Sequence, residues 1–267
     1  MRLRPLTATD IVDGALATIK AAPRAVIGVT AAFIVPAQLI STLIWRDQLE
    51  RTGVVSAATG SLGASSSDLL SASSVALVAL QSIALALAAA ALAQLVWSWY
   101  EGKPISSGEA IKGTLRMVPA LLVGWLLVHL SELAGLALFA VPLLFAVALG
   151  AVTVPVIAIE RVGALAGVRR SWQLARTNLS GVIGIVLLVG VVDLVLSFSL
   201  SGLAIVSDQI IDTFGLDGAW VVAGVVQVAT TMVTGPFVAA AALLLYLDLR
   251  VRSEGLDIEL AVTEHFA

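Results

Sequence analysis

The sequence predicts an all-α membrane protein with six transmembrane helices, built as three repeats of a cytoplasmic amphipathic helix followed by two spans. Hydrophobic residues make up 59% of the 267 residues, and only 12% are charged. The mean hydropathy is +1.03. A soluble domain has about 25% charged residues and does not need this much apolar surface. The composition therefore predicts an integral membrane protein, while the apolar runs and an internal repeat predict its organisation.

Six apolar segments are long enough to cross a bilayer, which takes about 20 mostly apolar residues. They are predicted at Arg24–Trp45, Ser74–Trp99, Val118–Ala137, Leu138–Ile159, Leu179–Leu203 and Trp220–Leu247. The third and fourth segments form one nearly continuous apolar run that is too long for a single helix. A tight hairpin is therefore expected between Gly135 and Pro142.

The segment from Gly163 to Gly184 predicts a basic amphipathic helix that runs directly into the fifth span. Its apolar residues recur at three- and four-residue steps, and its basic and polar residues fall on the other side. The apolar stripe is Leu165, Val168, Trp172, Ala175 and Leu179, and the opposite face is Arg169, Gln173, Arg176 and Thr177. This pattern is typical of a helix in the lipid headgroup layer. Packing on the protein's own surface would produce the same pattern.

Two earlier segments resemble this one, which predicts a threefold internal repeat. In one alignment, Val12, Leu16, Lys20 and Gly28 fall on Val168, Trp172, Arg176 and Gly184. In the other, Thr7, Asp10, Val12, Gly14 and Leu16 fall on Ser106, Glu109, Ile111, Gly113 and Leu115. The pairs Thr7 with Asp10 and Ser106 with Glu109 each predict a capping box at a helix start. The predicted units are residues 6–99, 104–159 and 163–250, followed by a short cytoplasmic tail at 251–267.

The distribution of positive charge predicts the orientation. Of the fifteen Lys and Arg residues, all except Arg46 and Arg51 fall on one side of the predicted spans. The positive-inside rule therefore predicts that both termini and all three amphipathic helices are cytoplasmic. The richness in Ala, Val and Leu favours a bacterial plasma membrane. The basic N-terminus is predicted to be retained, because no cleavage site follows the first apolar run.

Basic residues of the second and third amphipathic helices are candidates for lipid headgroup binding. They are Lys112, Arg116, Arg169, Arg170 and Arg176. Arginine and lysine at this level meet lipid phosphates, so membrane lipids, anionic ones in particular, are the expected partners. No nucleic acid partner is expected.

We call the first span of each predicted unit the outgoing span and the second the returning span. Each returning span ends in an acid followed closely by a base. The pairs are Glu101 with Lys103, Glu160 with Arg161, and Asp248 with Arg250. One interpretation is that these residues only flank the spans and extend toward the headgroups. The other is that the acids pair with arginines of the surface helices and hold those helices to the bundle.

Four polar residues inside predicted spans are candidates for an intramembrane site: Asp193, Glu132, His129 and Gln38. A charge at the bilayer centre costs about 2.5 to 3.5 kcal/mol on insertion scales. When the alignment of the repeats is extended into the spans, it predicts that Glu132, Asp193 and Gln38 lie at one depth in the membrane. They would then form the floor of a cavity or a proton-accepting site. The alternative is structural, with Glu132 marking the hairpin and Asp193 bonding to Ser197.

The sequence carries no motif for catalysis or cofactor binding. Cysteine is absent and there are only two histidines, so neither a thiolate site nor a histidine metal site is expected. No GxSxG, HExxH, Walker A or GxGxxG motif occurs. The prediction is a protein without catalytic residues, metal or cofactor.

Three segments resemble a family of actinobacterial multi-pass proteins catalogued as glycerophosphoryl diester phosphodiesterase membrane domains. They are LRPLTATDIVDGALATIKAAPRAVIG, ERVGALAGVRRSWQLARTN and LLLYLDLRVRSEGLDIEL. The most specific part of this resemblance is the motif Tyr246-x-Asp248-x-Arg250-x-Arg252 followed by Glu254-Gly255. The resemblance implies a six-span helical bundle. The family's hydrolase activity belongs to a separate catalytic domain, whose residues are not found in this sequence.

The resulting hypothesis is a non-enzymatic inner-membrane protein that acts as a scaffold or accessory in lipid or cell-envelope processes. The alternative hypothesis is a small transporter or channel with a path past Asp193 and Glu132.

Overall fold

The computed structural model describes residues 5–44, 46, 72–214, 219–256 and 258. These residues form ten helices and no strand: α1 Ala8–Ala21, α2 Pro23–Ile44, α3 Ala72–Tyr100, α4 Ser107–Arg116, α5 Val118–Leu138, α6 Ala140–Gly150, α7 Thr153–Glu160, α8 Ala164–Thr177, α9 Leu179–Phe214 and α10 Ala219–Glu254. Most of the predicted loop from Arg46 to Ser73, most of the predicted tail, and Trp45 lie outside the described residues.

Six helical segments are long and apolar enough to cross a membrane, which confirms the predicted integral membrane protein. They are Pro23–Ile44, Ser74–Tyr100, Val118–Leu138, Ala140–Glu160, Leu179–Leu200 and Trp220–Glu254. The last helix continues beyond residue 251, where the tail was predicted to start. Its final turns contain side chains paired with the rest of the protein, so these residues belong to the folded bundle.

The predicted hairpin between the third and fourth spans is confirmed. Helix α5 ends at Leu138 and α6 begins at Ala140, so Phe139 alone connects them, with φ of 125°. The two helices approach closely at Gly135, where a Cβ atom would lie 2.8 Å from Cα of Leu143. Because backbone atoms cannot give way as a flexible side chain can, this crossing requires glycine.

The fourth span is broken between α6 and α7. Helix α6 ends at Gly150, α7 begins at Thr153, and Pro155 follows in the first turn of α7. Proline has no N–H to donate and cannot continue the hydrogen-bonding pattern of the preceding helix. The break leaves carbonyl groups of α6 available to side chains from elsewhere.

The six spans pack in a closed ring of hairpins. The returning spans α3, α7 and α10 contact one another at the centre. Each outgoing span packs on the returning span of its own hairpin and on that of the preceding hairpin: α2 on α3 and α10, α5 on α6 and α3, α9 on α10 and α6. Large side chains that are completely buried, such as Tyr246, Phe237 and Leu92, fill the centre of the bundle.

Three short helices lie at the end of the bundle where the returning spans finish. We call α1, α4 and α8 the collar helices. Each packs on the spans of the preceding hairpin: α1 on α10 and α9, α4 on α3 and α2, and α8 on α7, α6 and α5. The collar therefore links consecutive hairpins around the ring.

Both predicted capping boxes are confirmed. At the start of α1, the Thr7 N–H donates to Asp10 Oδ2 at 2.9 Å and the Asp10 N–H donates to Thr7 Oγ1 at 3.2 Å. At the start of α4, the Ser106 N–H donates to Glu109 Oε2 at 2.7 Å and the Glu109 N–H donates to Ser106 Oγ at 3.2 Å. Hydrogen bonds from the backbone and side chain of Ser106 hold the pKa of Glu109 below its usual value. Reciprocal capping thus satisfies N–H groups at both helix starts.

Candidate functional site

The collar helices bury the same positions against the bundle. These positions are Ile11 and Ala15 in α1, Ala110 and Thr114 in α4, and Gly167 and Ser171 in α8, joined in α8 by Leu174 and Ala175. In the two alignments of the repeat, Ile11 falls on Ala110 and on Gly167, while Ala15 falls on Thr114 and on Ser171. All three helices therefore present the same side to the protein.

The buried face of α8 differs from the apolar stripe that the sequence predicts. Leu165 belongs to the predicted stripe, yet 73% of it is exposed. Gly167 packs so closely on Ile157 that a Cβ atom would overlap that side chain. Small residues allow such close packing of helices. Helix α8 thus buries a side that includes small residues, while Leu165 of the predicted stripe is exposed and Val168 and Trp172 are half-buried. Leu179, the last residue of the predicted stripe, begins α9 instead.

Hydroxyl groups on the collar helices bond to polar groups of the spans. Gln94 Nε2 in α3 donates to Thr114 Oγ1 at 2.8 Å, and both residues are buried. Ser171 Oγ donates to the carbonyl oxygen of Leu149 at 2.7 Å, next to the break in the fourth span. A buried polar group without a partner costs about 1 to 3 kcal/mol, so these bonds select the docked position of each helix.

A buried carboxylate holds the chain just before α1. Asp248 is 1% exposed, and its Oδ1 accepts a hydrogen bond from the Leu6 N–H at 2.7 Å. Arg252 Nε donates to both Asp248 oxygens at 2.9 and 2.8 Å, and Arg252 Nη2 donates to the Leu6 carbonyl oxygen at 2.6 Å. Asp248 and Arg252 thus join α10 to the start of α1, which we call the Asp248 clasp.

An equivalent contact holds the chain before α4. The Ile105 N–H donates to Ser98 Oγ at 3.1 Å, and Ser98 is buried near the end of α3. Ile105 falls on Leu6 in the alignment of the first two units. The residue before the helix cap is therefore held by a side chain of a returning span at the start of both α1 and α4.

Five residues from three helices form an acid–arginine cluster at the collar: Glu160, Arg170, Tyr246, Arg250 and Glu254. Arg170 of α8 forms ion pairs with Glu160 of α7, at 3.2 Å from Nε to Oε1, and with Glu254 of α10. The Tyr246 hydroxyl donates to Glu160 Oε1 at 3.1 Å, and Arg250 Nε donates to Glu254 Oε2 at 2.9 Å. The cluster fixes α8 to the ends of two returning spans.

Arg170 therefore differs from the other basic residues that the sequence singles out. Burial lowers its pKa, but hydrogen bonds and charge interactions with Glu254 and Glu160 outweigh burial and raise the pKa above its ordinary value. Arg170 stays charged and is directed into the protein. By contrast, Lys112, Arg116, Arg169 and Arg176 are exposed, and the Arg176 guanidinium lies 5.7 Å from the ring centroid of Trp172.

The structure joins some of the predicted acid–base residues and separates others. Glu160 pairs with Arg170, Asp248 with Arg252, and Arg250 with Glu254. Glu101 and Arg161 are exposed at the ends of their spans. The sequence names Arg252 and Glu254 only as part of the motif that carries the family resemblance, and not as pairing partners of Asp248 and Arg250. Their four-residue spacing from Asp248 and Arg250 is the signal that could have found them, since such pairs share a helix face.

Among the intramembrane candidates, Gln38 lines a cavity between α2, α3 and α10 that is mainly apolar and contains a few polar groups. The cavity has a volume of about 240 Å³, and its polar lining is Gln38, Gln81, Ser82, Gln227 and Thr231. Gln81 Nε2 donates to Gln38 Oε1 at 3.3 Å, and Gln38 Nε2 donates to Thr231 Oγ1 at 3.1 Å. Three spans thus share one hydrogen-bonded chain of side chains.

His129 and Glu132 lie together on α5. Their nearest nitrogen and oxygen atoms are 4.0 Å apart, and the ring centroids of His129 and Trp125 are 4.5 Å apart. Trp125 Nε1 donates to Ser82 Oγ at 3.1 Å, which connects this group to the wall of the cavity.

Asp193 lies apart from this group. Within the described part of the chain its carboxylate makes no hydrogen bond, so the proposed bond to Ser197 is not present. Helix α9 packs on α10 and α6, whereas the cavity lies between α2, α3 and α10. Gln38, Glu132 and Asp193 therefore do not form one cluster, and transport past both acids is not the function that the geometry supports best.

The described residues hold no group of three or more His, Asp or Glu side chains that could bind a metal ion. No protein family, curated protein or solved structure matches the chain.

Proposed function

We propose that this protein is a non-enzymatic membrane scaffold or accessory whose collar binds anionic lipid headgroups in lipid or cell-envelope processes. The proposal places the chain in the bacterial plasma membrane, with its collar and both termini in the cytoplasm. The grouping of thirteen of the fifteen Lys and Arg residues on one side of the spans supports this orientation.

One observation carries the proposal. Each collar helix has a large apolar side chain at the same position of the repeat that the protein does not bury: Leu16 and Leu115 are exposed, and Trp172 is half-buried. In α4 this residue has the exposed cations Lys112 and Arg116 beside it. In α8 it has Arg169 and Arg176, and in α1 it has Lys20. An apolar side chain that is not buried and lies beside cations, at one end of a bundle of spans, suits the layer where headgroups meet acyl chains.

The packing of the collar helices supports three repeated units. The buried positions of α1, α4 and α8 coincide in the alignments, and each collar helix contacts the preceding hairpin. We propose that the chain consists of three copies of one unit arranged around the ring. The units are not equally basic, since Asp13 in α1 takes the place of Lys112 in α4 and of Arg169 in α8. Lipid phosphates are therefore expected mainly at α4 and α8.

Replacing Arg169 and Arg176 together by Gln is expected to weaken retention of phosphatidylglycerol by about thirtyfold. The estimate follows from about 1 kcal/mol for each basic residue near an anionic surface. Native mass spectrometry of the detergent-purified protein, with phosphatidylglycerol and phosphatidylcholine added in equal amounts, measures the bound fraction of each.

The matched control is Arg24→Gln with Lys103→Gln. It removes the same charge from exposed positions outside the collar helices. Retention in this control should stay close to that of the wild type. Equal losses in the two double variants would show nonspecific charge attraction, and unchanged retention in both would contradict the proposal.

A further inference from the structure

The cavity between α2, α3 and α10 has a mainly apolar surface with a few polar groups and no charged side chain. Its polar groups are the amides of Gln38, Gln81 and Gln227 and the hydroxyls of Ser82 and Thr231. All five residues belong to segments that are apolar enough to span a membrane. A buried ion without a partner of opposite charge is strongly unfavourable, so this lining favours an uncharged guest.

The hydrogen bonds within the cavity leave part of its capacity unused. Each Gln side chain has two donor hydrogens and one acceptor oxygen. Gln81 donates to Gln38, Gln38 donates to Thr231, and Thr231 donates to the backbone carbonyl of Gln227. The side-chain amide of Gln227 makes no hydrogen bond within the described part of the chain. Because Gln38 is only 3% exposed, its remaining donor cannot turn to bulk solvent.

Such groups are costly in a bilayer unless something pairs with them. In hydrocarbon, an unsatisfied polar group costs several kcal/mol, and no bulk water is present to compensate. The volume of about 240 Å³ has room for about eight waters or for a compact polar group with a few carbon atoms. Apolar side chains such as Ile34 and Leu85 complete the lining, so a guest molecule with both polar and apolar groups fits the cavity better than water alone.

The cavity borders the surface of the spans. Val78, which belongs to its lining, is 67% exposed at a position inside the membrane-spanning part of α3. A guest that reaches the cavity past Val78 comes from the lipid phase. That route favours an amphiphile over a water-soluble solute.

We propose that this cavity binds the uncharged hydroxyl and ester groups of a neutral lipid of the diacylglycerol class. The Gln81–Gln38–Thr231 chain provides donors and acceptors for the hydroxyl and the ester carbonyls, and the acyl chains leave past Val78. This site is independent of the collar, because it lies inside the spans and selects against charge.

Photolabelling tests the proposal. The protein is reconstituted in phosphatidylcholine nanodiscs that contain diacylglycerol with a diazirine on its acyl chain, and the labelled peptides are mapped by mass spectrometry. Labelling of the α2, α3 and α10 peptides is expected, and competition by unlabelled diacylglycerol should exceed that by a fatty alcohol or an alkane. If the fatty alcohol competes equally well, the site recognises a hydroxyl alone, and the diacylglycerol assignment is overturned.

Two variants separate steric from polar recognition. Ala84→Leu fills the cavity and keeps the amides, whereas Gln38→Leu with Gln81→Leu removes two amides. Each should reduce labelling at these peptides at least fivefold, while Ala137→Leu, at an exposed position of α5, should not. If the double variant fails to fold, Ala84→Leu decides the matter. Equal labelling in all variants, or a cavity that holds water only and is never labelled, would overturn the proposal. Phosphatidylglycerol retention should be unchanged in Ala84→Leu, so the collar proposal is judged separately.

Discussion

Replacing Arg170 by Gln is expected to lower the free energy of unfolding by about 2 to 3 kcal/mol. Arg170 is the only cation of α8 that joins Glu160 and Glu254 in the described part of the chain. Its loss removes the ion pair of Glu160 and leaves Glu254 with Arg250 alone, and α8 loses its ionic link to α7 and α10. Chemical or thermal unfolding in detergent micelles measures the change.

The adjacent arginine provides the control. Arg169 has the same charge and length but is exposed, so Arg169→Gln is expected to change the unfolding free energy by less than about 0.5 kcal/mol. Equal effects of the two substitutions would mean that the acid–arginine cluster does not hold α8 to the bundle.

Replacing Asp248 by Leu is expected to destabilise the protein by about 3 kcal/mol. The substitution leaves the Leu6 N–H without its buried acceptor and Arg252 without its carboxylate. Removing one partner of a buried ion pair costs about 3 to 5 kcal/mol, and the lower figure applies because Arg252 is partly exposed. Asp248→Asn should reduce the stability less, because the Asn amide oxygen can still accept the hydrogen bond from the Leu6 N–H.

Hydrogen exchange locates the effect of the Asp248 substitutions. The amides of the first turn of α1 should lose protection in Asp248→Leu, while those of α4 should keep it. Asp13→Asn removes an acid of α1 that is exposed, and it should leave protection and stability near wild-type values. If Asp13→Asn and Asp248→Leu had the same effect, the clasp would have no special role.

The features that could be predicted from the sequence are those set by local periodicity. An apolar run of about 20 residues identifies a span wherever it packs. The capping boxes at Thr7 and Ser106 involve residues three positions apart, so their pattern is visible in the chain itself. The hairpin at Phe139 follows from the length of one apolar run and the small residues near its middle.

The candidate site depends on contacts between distant residues and could be predicted only in part. In the sequence, Arg169, Arg170 and Arg176 appear equivalent. The rotation of α8 directs Arg170 alone toward Glu160 and Glu254, and small residues at Gly167 and Ser171 set this rotation. The sequence singles out Gln38, but its hydrogen bonds to Gln81 and Thr231 depend on how α2, α3 and α10 pack. Gln38, Gln81 and Gln227 line one cavity because the ring of hairpins brings α2, α3 and α10 together.

The most direct test of the lipid-facing collar is the depth in a bilayer of Leu16, Leu115 and Trp172, the large apolar side chains that occupy the same position of the repeat in the three collar helices. The protein contains no cysteine, so Leu16→Cys, Leu115→Cys and Trp172→Cys can each carry a single nitroxide label. Electron paramagnetic resonance with oxygen and a water-soluble nickel complex as relaxing agents measures the depth of each label in nanodiscs. We expect all three labels to lie at one shallow depth near the phosphates, with greater access to oxygen than a label at Lys103→Cys. Labels as accessible to the nickel complex as the one at residue 103, or three unrelated depths, would contradict it.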